Sequence, residues 1–117
     1  MRTENLQGAA FDWAVAKCEG KNGVLHDDGI TRCIVVAAPS GVYKGTYRPT
    51  TNWAQGGPII EREWIDLHCV DDSLWTADCS TPDGLIMGSG PTPLIAAMRC
   101  YVASKLGDTI DLPEELK

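Results

Sequence analysis

The sequence predicts an α+β fold: a small antiparallel β-sheet packed against an N-terminal and a C-terminal α-helix. Three observations lead there. Apolar residues recur at helical spacing in the opening LQGAAFDWAVAK, two alternating runs flank DDS in mid-chain, and a capped apolar helix closes the pattern. At 117 residues a single domain spanning 1–117 is expected. A chain of this length hides roughly two-thirds of its unfolded surface without help from a metal or disulfide.

The first helix can be capped by Thr3 or Asn5 and carries Leu6, Ala9, Ala10, Trp13, Ala14 and Ala16 before Gly20 and GKNG end it. VLHDDGIT reads as a polar stretch, RCIVVAA as a short buried strand, and PSGVYKGTYRP as a loop holding Tyr43 and Tyr47. In TTNWAQGGPIIERE, Gly56 and Gly57 can take positive φ, while Pro58 fixes its own backbone and restricts Gly57. That spelling predicts a rigid corner leading into a strand, IIEREWIDL.

WIDLHCV and LWTADCS then form a hairpin. With Asp71, Asp72 and Ser73 as its loop, Ile65 meets Cys79, Leu67 meets Ala77 and Cys69 meets Trp75, giving one apolar face. A two-residue loop would put the apolar sets on opposite faces. The favoured register costs something, because Asp66 then opposes Asp78. DGLIMGSG supplies a third strand. In the helix after it, Thr92 is the N-cap, Pro93 takes the first position and Gly107 ends it. Its apolar face is Leu94, Ile95, Met98, Tyr101, Val102 and Leu106; the tail DLPEELK reads as loose.

Charge removes one class of partner. Sixteen acidic against ten basic residues leave −6, which opposes binding to a DNA or RNA polymer. No apolar run approaches the ~18 residues of a membrane span, so a membrane partner is not expected. MRTENLQGAA lacks the apolar core of an export signal, so the five cysteines read as reduced cytosolic thiols.

Catalytic patterns are weak. No Cys-x-x-Cys or His-x-x-x-His occurs, and adjacent His68 and Cys69 point to opposite faces of a strand. Asp66, His68 and Asp78 share a polar face that could hold a divalent ion weakly, though a solvated strand face is the commoner explanation. GSGPTP and QGG match neither the dinucleotide nor the phosphate-loop fingerprint, so no cofactor is expected. His26 and His68 lie in no pattern that marks a nucleophile and its base. The residues point to binding more than to turnover. Thr51, Asn52, Trp53, Gln55, Gly56, Gly57 and Arg62 are the candidate ligand-binding set. Trp53 offers a flat ring, the carboxamides offer donors and acceptors, glycine N–H groups suit an anion, and Arg62 adds a cation. A homo-oligomer could complete such a pocket. If Trp53 instead packs in the core, the segment is only structural.

LQGAAFDWAVAKCEG, TNWAQGGPIIERE and GPTPLIAAMRCYVASKLGD together resemble the NinX-like family of small phage and prophage proteins, over nearly the whole chain. Trp64 departs from the pattern, standing where a small or polar residue is expected. The resemblance implies an accessory protein in the host bacterial cytoplasm and supplies no catalytic residues. The resulting expectation is a non-enzymatic binding protein that counters host defence by sequestering a small nucleotide-like ligand. The alternatives are a protein–protein inhibitor of a host defence factor, or a small nucleotide-modifying enzyme.

Overall fold

The computed structural model describes residues 1–37 and 44–117; the expected loop residues 39–43, Tyr43 among them, lie outside these. The fold is α+β, with a third helix and a second sheet beyond the plan read from the sequence. A 3-10 turn, Thr3–Asn5, precedes α1, Gly8–Cys18. Three strands come next: β1, Val24–Asp27; β2, Arg32–Ala37; β3, Lys44–Tyr47. Then come α2, Trp53–Arg62, and the strands β4, Asp66–Asp71, β5, Leu74–Thr81, and β6, Gly84–Gly90. The chain closes with α3, Pro93–Leu106, and a 3-10 turn, Glu114–Leu116. Each sheet is an antiparallel meander, β1-β2-β3 and β4-β5-β6.

The polar VLHDDGIT is a hairpin arm and its turn. Val24 pairs with Val35 and Asp27 with Arg32. Asp28 Oδ1 accepts from the N–H groups of Ile30 and Thr31, which closes the turn. An edge strand that exposes most of its side chains leaves no alternating pattern to read.

Neither Thr3 nor Asn5 caps α1. Gln7 is the N-cap and makes no side-chain bond. Thr3 is tied instead to the far end of the chain: its Oγ1 donates to Gly107 O at 2.7 Å and its N–H to Asp108 O at 2.8 Å.

The largest correction falls on the Gly-Gly-Pro segment. There is no corner and no strand through Ile59–Arg62; the segment is α2, and neither Gly56 nor Gly57 has positive φ. Two glycines and an interior proline cost a helix about 5 kcal/mol against alanine, so propensity argues against it. Packing decides the outcome. Asn52 caps the helix by accepting from Ala54 N–H at 2.9 Å, and Ile59 is buried in the core. Gly56 lies so close to Pro49 and Leu94 that a Cβ there would collide with the Pro49 carbonyl and the Leu94 side chain.

In the second sheet Leu67 opposes Ala77 and Cys69 opposes Trp75, the expected register. At the tip Asp71 pairs with Leu74, so the turn is Asp72-Ser73 and the irregularity falls between Cys69 and Asp71. A bulge reconciles a two-residue turn with the burial-favoured face. The third strand forms as expected, with Ala77 opposite Gly88 and Cys79 opposite Ile86.

α3 is the hub. It packs on this sheet, on α1 and on α2, and Leu94, Ala96, Ala97, Met98, Cys100, Tyr101 and Val102 are all buried. Thr92 Oγ1 accepts from Ile95 N–H, the expected cap. α3 approaches β6 so closely that a Cβ on Gly88 would collide with the backbone of Ala96 and Cys100. The tail is not loose: Ile110, Leu112 and Leu116 join the core.

Candidate functional site

The segment from Thr51 to Gly57 forms the N-terminal end of α2. Its polar groups are largely committed within the fold. Gln55 Oε1 accepts from Arg48 N–H at 2.6 Å, and Gln55 Nε2 donates to Thr46 O at 2.9 Å. Asn52 Oδ1 is the helix cap, and Thr51 N–H donates to Arg48 O. Gly56 N–H donates to Asn52 O, so it cannot cradle an anion. The Thr51 side chain is exposed, and the Trp53 ring, 51% exposed, lies beside Gly57. Buried Asp12 fixes this end in place: its Oδ1 accepts from Thr50 N–H at 3.1 Å and from Thr50 Oγ1 at 2.7 Å.

Arg62 does not join that group. It lies nine residues on from Trp53, roughly 13 Å along the helix at 1.5 Å per residue. Its guanidinium clamps Glu19, Nη1 to Oε1 at 3.0 Å and Nη2 to Oε2 at 2.5 Å, and Nε donates to Glu63 Oε2 at 3.0 Å. Tyr101 Oη donates to Glu19 Oε2 at 2.5 Å, and Lys105 reaches Glu63 at 3.2 Å. Burial raises the Glu19 carboxyl, but hydrogen bonds from Arg62 and Tyr101 with the Arg62 charge outweigh it and leave a net lowering. Donating to Glu19 first and to Glu63 second raises the Arg62 pKa. The cation offered to a ligand by the sequence is committed to joining the ends of α1, α2 and α3.

The chain leaves α2 in an unusual way. Ile65 N–H donates to Ile60 O and Trp64 N–H to Glu61 O, the paired bonds of a Schellman helix end. The residue after the C-cap in that motif takes left-handed φ and is commonly glycine. Here it is Trp64, at φ 54°, the only non-glycine residue with positive φ among the described residues. Its side chain is not tucked away; Trp64 is 87% exposed.

Trp64 stands on the rim of a groove of about 500 Å³, lined also by Arg62, Glu63, Asp66, Asp78 and Ser80. With Arg62 and Glu63 paired internally, the groove presents the exposed carboxylate of Asp66, beside a more buried Asp78. These two oppose one another across β4 and β5, as the register argument required. His68 Nε2 lies 2.8 Å from Asp78 Oδ2, so the polar face expected for Asp66, His68 and Asp78 does assemble. No cluster of three metal-capable side chains forms among the described residues.

Compared with family models, the chain matches one described as Bacteriophage P22, NinX, over residues 2–105. It belongs to the NinX family. The match runs from the first 3-10 turn to the last turn of α3, so both ends of α2 and the Trp64 groove lie within the NinX region. A search of curated proteins finds no match. No helix among the described residues of this NinX chain is long and apolar enough to cross a membrane.

Three of the five thiols are placed as packing groups. Cys33, Cys79 and Cys100 are buried, with Cys79 and Cys100 Sγ 3.3 Å apart. Burial pushes Cys100 up, reinforced by the neighbouring Cys79 thiol, and burial beside Glu19 pushes Cys18 up to about 12. A thiol so far from its thiolate is a poor nucleophile. The groove residues Trp64, Asp66 and Asp78 were not in the ligand set read from the sequence. The sequence signal for Asp66 and Asp78 was their opposition in the β4–β5 register; their meeting with Trp64 at one groove was not visible.

Proposed function

We propose that this NinX-family chain is a phage accessory protein that acts by binding, and that its binding surface is the Trp64 groove at the C-terminal end of α2. The partner is a host protein presenting an arginine or lysine. The cation stacks on the exposed indole, and its charge is met chiefly by Asp66, with Asp78 beside it bonded to His68. Host defence factors are the proposed class of target, a reading that rests on the phage setting of the family.

The supporting observation is Trp64 itself: a large apolar residue held in a backbone conformation suited to glycine, and left in solvent. Two local rules are broken at this one place, by the strained tryptophan and by the opposed carboxylates. Natural sequences break such rules mainly where function needs it.

The test compares Trp64→Gly with wild type in capture from host lysate. Wild type is expected to retain a stoichiometric basic partner, weakened by salt, that Trp64→Gly loses while remaining folded. Capture that survives Trp64→Gly removes the proposal.

A second reading has one observation in its favour. The half-exposed Trp53 ring can stack a planar nucleotide-like molecule at the other end of α2, with exposed Thr51 two residues before it. Stacking of that kind is worth ~1–3 kcal/mol. A nucleotide panel that raises the melting temperature of wild type but not of Trp53→Ala selects this reading.

A further inference from the structure

We propose that a second cavity, between the N-terminal 3-10 turn, the edge strand β6 and α3, binds a small monocarboxylate through Arg99. The cavity holds about 280 Å³ and shares no lining residue with the Trp64 groove, so the two proposals fail separately.

Arg99 carries the argument. Its Nη1 donates to Ser89 O at 2.9 Å and its Nη2 to Leu6 O at 3.0 Å. Carbonyls satisfy donors but do not neutralise a charge. The Phe11 ring, with its centroid 5.6 Å from Cζ, offers only a weak electrostatic partner. No described carboxylate forms an ion pair with Arg99, and its Nε is buried with no hydrogen-bond partner. Burial lowers its pKa with no opposing contribution from an anion. Arg99 is partly buried, and its charge lies among carbonyls rather than carboxylates, a setting that an anion entering the cavity would stabilise. Each Nη keeps one N–H beyond the bond it already makes, so the guanidinium can still grip a planar oxyanion.

The rest of the lining narrows the ligand. Arg2 is held only by an exposed pair with Glu4 at 3.0 Å, a weak contact that can be exchanged for an incoming anion. Glu4 and Asp108 also line the cavity and disfavour a multiply charged ligand such as a phosphate dianion. Met87 and Ala103 provide apolar wall for a short hydrocarbon body. The volume falls just below the ~300–1,000 Å³ of drug-sized ligand sites, which suits a metabolite of a few carbons.

The experiment is an amide-resolved NMR titration of the full chain with sodium butyrate and, separately, with inorganic phosphate. Sodium chloride at matched ionic strength is the reference. Butyrate is expected to shift the amides of Thr3, Ser89 and Ala103 saturably. Ala103→Glu, which places a carboxylate one turn from Arg99, should abolish the response in a protein whose spectrum is otherwise folded. Arg2→Gln, a surface change, should weaken it about tenfold. Shifts that chloride reproduces, or that survive Ala103→Glu, overturn the proposal. A response to phosphate with none to butyrate overturns the assignment of a monocarboxylate.

Discussion

The two ends of α2 each carry a tryptophan, and the fold treats them differently. At the N-terminal end Asn52 caps the helix, Gln55 ties both ends of its carboxamide to the backbone of β3 and its exit, and Gly56 fits against Pro49. At the C-terminal end Arg62 and Glu63 are paired as tightly, yet the next residue is a strained, exposed Trp64 beside two opposed aspartates. At the first end most polar groups are used internally, which leaves the half-exposed Trp53 ring and Thr51 as the groups still open to a ligand. At the second end the fold tolerates an unfavourable residue where glycine would fit, which is why Trp64 is the proposed point of contact.

The comparison breaks most severely at Gly56. Gly56→Ala should destabilise the protein by about 3 kcal/mol, because the added Cβ meets a backbone carbonyl that cannot move aside; a urea midpoint close to wild type would contradict the packing that makes this segment a helix. Next is Glu19→Gln, expected to cost about 1–2 kcal/mol at neutral pH through loss of charge-assisted bonds to Arg62 and Tyr101, Arg62 itself being half exposed. The sign with pH is set by the lowered Glu19 carboxyl. Its contribution is complete above the unfolded value of about 4.3 and is lost as pH falls through the lower folded value, so wild type and Glu19→Gln should converge in stability at acid pH.

Trp64→Gly sharpens the contrast, because it should stabilise the fold by about 1 kcal/mol while removing the proposed binding surface. Guanidinium unfolding checks the sign; a destabilised variant would mean the indole is packed in solution. The smallest effect is expected from Trp53→Ala, below about 1 kcal/mol since the ring is half exposed, against the ~3–5 kcal/mol of a core aromatic. A melt well below wild type would return Trp53 to the core.

Legibility in the sequence tracked the locality of each cause. α3 was readable because Thr92, Pro93 and Gly107 act on their own helix ends. The β4–β5 register was readable because burial admits one alternation, and the bulge near the tip was not because it satisfies turn and face together. β1 was hidden because an edge strand with most side chains in solvent shows no pattern. The internal partners of Gln55 and Arg62 were hidden, since both residues find theirs across chain segments that no spacing rule connects.

The chain's own order of residues determined the α+β class, the closing helix, the alternation of the second sheet and the kinship with phage NinX proteins. The structural features among these rest on interactions within a few residues or on a repeating apolar face, and the kinship on the order of residues itself. Only the tertiary structure decided that Gly-Gly-Pro lies in a helix, that the tail packs, and that Arg62 is paired internally while Arg99 lacks a counter-charge. Those outcomes depend on which distant backbone or carboxylate arrives at a given side chain, and that encounter is created by the fold as a whole.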